Sequence, residues 1–324
     1  MSEGNGLIFG WVLDGNGGGT PVDWDGARTW EPADGSLWLH LDRATDSSTQ
    51  WLTDESGLDS IVVDALLAEE TRPRAAKMGT GLLVILRGVN LNPGADPEDM
   101  VAVRLWIDEN RVISIRARPV MAVADIDQDI QADRGPRNSS EFLAELAAGL
   151  VNRMAPVVDE LDDLTDGLED QLLTGESHEI RPGLRDVRRT AIALRRHLAP
   201  QRDAMTRIQT EDAPWFDNRQ KARLREVTDR VIHYVEDLDE IRERAAVVQD
   251  ELMNRLSEQM NRNMFMLSVV AAIMLPLGFL TGLLGINVGG IPGADSNAGF
   301  LIVCALLAGV TAIEIIVLRR LRWI

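Results

Sequence analysis

Residues 264–293 read MFMLSVVAAIMLPLGFLTGLL and then GINVGGIPG. The first part, Met264 to Leu284, carries no charged side chain over about 20 positions, the length an α-helix needs to cross the hydrocarbon core of a bilayer. The second part is Gly-rich, and no charge appears until Asp295. A further apolar run, FLIVCALLAGVTAIEIIVL, occupies Phe300 to Leu318 and ends in Arg319, Arg320, Arg322 and Trp323. The pattern predicts a C-terminal hairpin of two membrane helices over residues 263–324, with spans near 264–284 and 300–318 joined by an outer loop, 285–299.

Charge orients the hairpin. Gly285 to Gly299 holds no Lys or Arg, whereas Arg255 and Arg262 precede the first span and three Arg follow the second. Basic flanks stay on the cytoplasmic side. The loop is therefore expected outside and both termini inside, in a multi-pass protein of the cytoplasmic (inner) membrane whose partner is the lipid bilayer. Met1 to Leu13 lacks a basic stretch followed by a long apolar core, so no export signal is expected there.

One face of the first span, at helical spacing, holds Asn261, Met264, Ser268, Ala271, Leu275, Gly278 and Gly282, which are small, polar or weakly apolar. The opposite face carries the bulkier Phe265, Ile273, Phe279, Leu280 and Leu283. A thin face suits either close helix packing or the lining of a pore.

The loop bears on that choice. Gly285-Ile286-Asn287, after a first membrane helix and near the C-terminus, resembles the Gly-Met-Asn signature of the CorA metal-ion transporter superfamily. The longer string from Phe279 to Gly293, FLTGLLGINVGGIPG, is similar to the ZntB branch of proposed zinc transporters. Ile286 stands where the signature has Met, which weakens the argument for magnesium selectivity. Pro276 and the basic, Trp-containing C-terminus also fit the family. The resemblance implies a funnel-shaped homopentamer whose first membrane helices line the pore, with Gly285, Ile286 and Asn287 at its outer mouth. It implies transport of divalent cations, zinc foremost, with a proton gradient as the driver.

The rest of the chain fits an α+β cytoplasmic domain, a mixed sheet with flanking helices, followed by very long helices. Over 1–138, Gly6–Leu13, Ser36–Leu41, Leu82–Leu91, Met100–Ile107 and Arg111–Ala117 read as strands, rich in Val, Ile, Leu and Trp. Asp108-Glu109-Asn110 reads as a hairpin turn, and Asp59–Glu70 has helical apolar spacing. Residues 139–262 form a stalk. Its first run, Ser139 to about Thr174, is acidic; its second, Leu184 to Ile208, is basic. The two are expected to pair as antiparallel helices that neutralise each other. A third run from near Pro214 meets no breaker before Pro276, which predicts a helix of about 60–70 residues, roughly 100 Å at 1.5 Å per residue.

The balance of 33 Lys and Arg against 51 Asp and Glu argues against nucleic acid and suits attraction of cations. No Gly-rich phosphate loop and no nucleophile motif is present, so no enzyme is expected. None of His40, His178, His197 and His233 stands beside Cys or another His at zinc-ligand spacing. No resident cofactor is expected, and zinc would pass with much of its water shell. Glu314, the one ionisable residue inside a membrane run, is a candidate for proton coupling or a partner of nearby Arg319. By the family resemblance, Glu226 and Asp250 fall near positions where acids of neighbouring subunits bind metal and hold the pore shut. Two other readings stay open: a magnesium, cobalt or nickel channel gated by such sites, and a membrane-anchored scaffold that conducts nothing.

Overall fold

The structure, a computed structural model, describes residues 6–174, 180–285 and 297–320. They form two compact units, the first ending at Gln249 and the second beginning at Asp250.

The first unit holds strands β1 (Leu7–Leu13), β2 (Gly19–Pro21), β3 (Ser36–Asp42), β4 (Arg74–Met78), β5 (Gly81–Gly88), β6 (Val101–Ile107) and β7 (Arg111–Arg116). They make one sheet in the order β2-β1-β3-β7-β6-β5-β4. Only β3 and β7 run parallel, so the sheet is mixed. The β6–β7 hairpin turns at Asp108, whose carboxylate accepts from Asn110 N at 3.0 Å and Arg111 N at 2.8 Å. Two edge strands escape the sequence pattern because they are short or polar, GTP and RAAKM. The strand expected over Leu82–Leu91 stops at Gly88. Beyond it the Asn90 carboxamide accepts from Asn92 N, a local bond that competes with the ladder.

Helices cover both faces, which is why most strands are apolar along their whole length. On one face lie α1 (Trp24–Thr29), α2 (Asp46–Asp54) and α3 (Ser60–Leu67). Their Trp24, Trp51, Leu52 and Leu66 bury against Leu37, Leu39, Leu41 and Ile113. Alternation along β3 sends Trp38 and His40 to the other face. There Trp38 meets Phe142 of α5 (Ser139–Asn152), with ring centroids 4.7 Å apart. The buried Ser114 hydroxyl lies 2.9 Å from Trp38 Nε1, 2.7 Å from His40 Nδ1 and 3.2 Å from the Leu39 carbonyl. One arrangement satisfies all three: the two ring N–H groups donate to the hydroxyl, which donates to the carbonyl.

The acidic run is two helices, not one. α5 ends at Asn152, and α6 (Ala155–Thr174) begins with Pro156 in its first turn. Proline has no N–H to return to the Asn152 carbonyl, and its ring clashes there. The end of α6 lies beside the start of α7 (Ile180–Thr210), where Gly183 packs on Leu168. The two helices therefore pair, but their charges do not neutralise each other. The acids Asp162, Asp166 and Glu169 all converge on Arg244 of α8 (Asn218–Leu284), with Asp162 at 2.8 Å and Glu169 at 2.9 Å. The basic helix finds Glu98 through Arg189 and Asp239 through Arg195. Arg244 serves three carboxylates because its guanidinium presents five donors in a fork. α8 starts four residues after Pro214, where Asp217 caps it by accepting from Gln220 N at 2.8 Å. Helix α4 (Met121–Gln131) packs on α5.

The second unit holds the rest of α8 and α9 (Gly299–Arg320). Both helices are long and apolar enough to cross a membrane.

Burial first, and then the Arg116 charge, pushes the His40 imidazole down to about 3. It stays neutral in the fold and gains a proton on unfolding below its ordinary 6.5. The unfolded state then binds more protons, so stability falls as pH drops from about 6.5, by at most about 1.4 kcal/mol per pH unit for this one group. The thermal midpoint of the detergent-solubilised protein should fall between pH 7 and pH 5, and fall less steeply in His40→Asn. Parallel slopes in the two proteins would mean that His40 is protonated in the folded state.

Candidate functional site

The apolar part of α8 has two unlike sides. Val269, Ile273, Leu277 and Leu280 are half-buried. At 3.6 residues per turn they fall on one arc about 80° wide. Asn261, Met264, Ser268, Ala271, Leu275, Gly278 and Gly282 fall on a second arc, centred about 180° from the first. Apart from half-buried Ala271, all of these are exposed. Leu275 is 72% exposed and Met264 61%. The thin face is thus part of the wider side of α8 that its own chain leaves open. Of the bulky set opposed to it in the sequence, Ile273 and Leu280 lie on the shielded arc, whereas Phe265, Phe279 and Leu283 remain exposed.

Gly278 and Gly282 sharpen this contrast. A Cβ added at either would meet nothing within 4 Å. Alanine is favoured over glycine by about 1 kcal/mol in a helix interior, so packing within the chain gives no reason for glycine at these positions. The hydroxyl of Ser268 donates to the Met264 carbonyl at 2.9 Å. That bond satisfies its proton and leaves its lone pairs facing outward as acceptors. Gly285 closes the helix, donating from its N–H to the Thr281 carbonyl at 2.9 Å. Ile286 and Asn287 lie outside the described residues.

α9 carries a single shielded stripe of its own: half-buried Val303, Leu307, Val310 and Glu314, then buried Leu318. Glu314 is therefore turned into the protein. Its Oε2 is buried without a hydrogen-bond partner, and among the described residues it forms no ion pair with Arg319. Five residues separate the two, and helix neighbours pair at three or four. Glu226 and Asp250, both on α8, are exposed and make no hydrogen bond or ion pair among the described residues. No group of three or more His, Cys, Asp or Glu placed to hold a metal occurs among those residues.

Comparison with known proteins bears on the whole chain. The profile of the CorA-like Mg2+ transporter proteins matches residues 33–320. The chain belongs to the CorA family. The match takes in most of the sheet, all of α8 and all of α9. "Divalent cation transporter CmaX" of Pseudomonas aeruginosa is 43% identical over 327 residues, spanning 98% of this chain and 97% of that protein. "Zinc transport protein ZntB" of Pectobacterium carotovorum is 36% identical over 320 residues, spanning 99% of this chain and 97% of that protein. A structure of full-length CmaX matches with a TM-score of 0.87, at 43% identity and 99% coverage of each chain. The ZntB-like resemblance carried by the loop sequence is thus a property of the full length of this CorA-family chain.

The contrast between the two arcs has a direct test. Cys304 is exposed and must first be removed. In that background, single cysteines at Ser268, Leu275 and Gly278 should react with a water-soluble thiol reagent in membranes, and Val269, Ile273 and Leu277 should be inert. Equal labelling at Ile273 would put the water-accessible side on the wrong arc.

Proposed function

We propose that this chain is one subunit of a pentameric divalent-cation transporter of the inner membrane, with zinc as a principal substrate and a proton gradient as driver. The observation that carries the reading is the open thin face of α8, set opposite the shielded arc, with two glycines that serve no contact within the chain. The names of the CmaX and ZntB relatives support the substrate class.

Copies of the thin face, turned toward a common axis, form the path. Asn287 carboxamides at the outer mouth accept from the waters of a hydrated cation, and no carboxylate in Gly285-Ile286-Asn287 compensates for dehydration there. Met264 and Leu275 form apolar rings that gate by dewetting. Ser268 offers acceptors between them. Glu314, half-buried with one buried and unpartnered carboxyl oxygen, is the group placed to exchange a proton with the gradient. The exposed, unengaged Glu226 and Asp250 are free to meet metal between subunits, which is the feature a gated channel would use.

Metal uptake by purified protein in liposomes decides among these readings. Zinc uptake should rise with an imposed pH gradient. Asn287→Ala should reduce it at least tenfold while the oligomer persists, and Glu314→Gln should remove its dependence on the gradient. The double variant Glu226→Ala, Asp250→Ala should leave gradient-driven uptake unchanged. Gradient-independent flux that the double variant increases would instead identify a metal-gated channel. No flux of any divalent cation from a folded oligomer would leave only the scaffold.

A further inference from the structure

The net charge of this chain is −18, yet its first unit gathers arginines that have no acidic partner. Arg43, Arg72, Arg87, Arg104 and Arg196 form no ion pair among the described residues. Three of them end on main-chain carbonyls. Arg43 donates to Leu67 O and Ala68 O, Arg104 to Ala68 O at 2.9 Å, and Arg87 to Thr71 O at 2.8 Å. Capping the carbonyls at the end of α3 in this way is favourable, since that helix end is partly negative. It accounts for only some of the donors. Arg43 Nε, Arg87 Nε, and Nε and Nη1 of Arg104 are buried without a partner, and Arg104 itself is 3% exposed.

Arg72, Arg87 and Arg196 of this set line a pocket of about 390 Å³ at the seam of three elements: the segment before β4, strand β5 and helix α7. Thr71 and Arg72 come from the first, Arg87 from the second, Arg196 and His197 from the third. Thr71 Oγ1, Arg87 Nε and His197 Nδ1 are each buried and unpartnered. One turn beyond His197, the fully buried Gln201 accepts from Arg87 N at 2.6 Å and leaves its Nε2 unpaired. Buried polar atoms are normally paired, and an orphan among them calls for a ligand or water. Here three orphans, Thr71 Oγ1, Arg87 Nε and His197 Nδ1, come from separate elements and line one pocket, and Arg87 Nε can only donate. Glu69 and Glu70, both exposed, are the carboxylates in its lining.

The electrostatics agree with the geometry. Burial, followed by Arg43 and Arg87, lowers Arg104 to about 10. Burial, followed by Arg87, Arg196 and Arg72, pushes His197 down to about 4. Like charges therefore crowd the site, Asp99 and Glu70 offset only part of their effect, and an anion would relieve both shifts.

We propose that this pocket binds a small phosphoryl oxyanion, either inorganic phosphate or the phosphate of a small monoester. A tetrahedral oxyanion accepts hydrogen bonds from several directions at once and pairs with guanidinium forks, whereas a halide fills little of the pocket and a carboxylate offers acceptors in one plane. The proposal does not depend on what the membrane helices conduct.

The full-length protein in detergent, at constant ionic strength in sodium chloride, should be titrated calorimetrically with inorganic phosphate and, separately, with glycerol 3-phosphate. Saturable binding of one anion per chain is expected for at least one of them; binding of the ester alone would assign the site to a monoester. Arg72 and Arg196 are exposed and make no hydrogen bond, so Arg72→Gln with Arg196→Gln should fold normally and weaken binding at least tenfold. Arg185→Gln, on the exposed side of α7 outside the pocket, should bind as the unaltered protein does. The proposal is overturned if neither anion binds saturably, if the double variant binds unchanged, or if Arg185→Gln weakens binding equally.

Discussion

Hydrocarbon offers no hydrogen bonds, so every backbone N–H and C=O between Met264 and Leu284 must be satisfied by protein or by water. That constraint decides the form of this half of the molecule. A run without charges is affordable only as a helix, and Ser268 and Thr281 turn their hydroxyls back onto carbonyls of the preceding turn. Pro276 is the one breach, since it has no N–H to give the Ala272 carbonyl. A carbonyl freed at membrane depth needs a neighbouring helix or water, and both lie on the side of a helix that its own chain does not cover.

The same reasoning, applied to charge, explains the first unit. Its acids are too many to pair one by one, so Arg244 takes three of them on one guanidinium. The carboxylates are between 37% and 61% exposed, and pairs of that kind are each worth on the order of 1 kcal/mol or less. The network therefore ties α6 to α8, whereas the burial of Val158, Leu161, Leu168 and Leu172 is what stabilises α6 in the unit.

Much of this was legible because the governing signals are local. Apolar length marked both membrane spans, β-branched and Leu-rich runs marked five strands, and Asp108 marked its own turn. Pro156 was equally local, but it was outweighed by the helical periodicity on either side of it. What could not be read was pairing at a distance. Nothing near Asp162 points to Arg244, 82 positions away, and the pocket beside His197 exists only where β5 and α7 meet. The orientation of the thin face lay between these extremes. Its composition is in the sequence, but the opposite arc declares itself only once α9 is present.

A single open face cannot enclose water, and helix geometry bounds how many must combine. Side by side, helices about 10 Å across leave a central hole of about 2 Å radius for four and about 3.5 Å for five. A divalent ion with its first water shell, with a metal–oxygen distance of about 2.1 Å plus a water radius of about 1.4 Å, needs about 3.5 Å. Under the proposed reading, five is therefore the smallest ring that passes the ion without stripping it, and among the described residues no group of His, Cys, Asp or Glu is placed to strip zinc. The fit holds only where side chains add almost nothing to the helix radius. Gly278, Gly282, Ala271 and Ser268 meet that condition, and Leu275 and Met264 do not. In that reading, the geometry that favours glycine at the wide levels makes the leucine and methionine levels the places where the path closes.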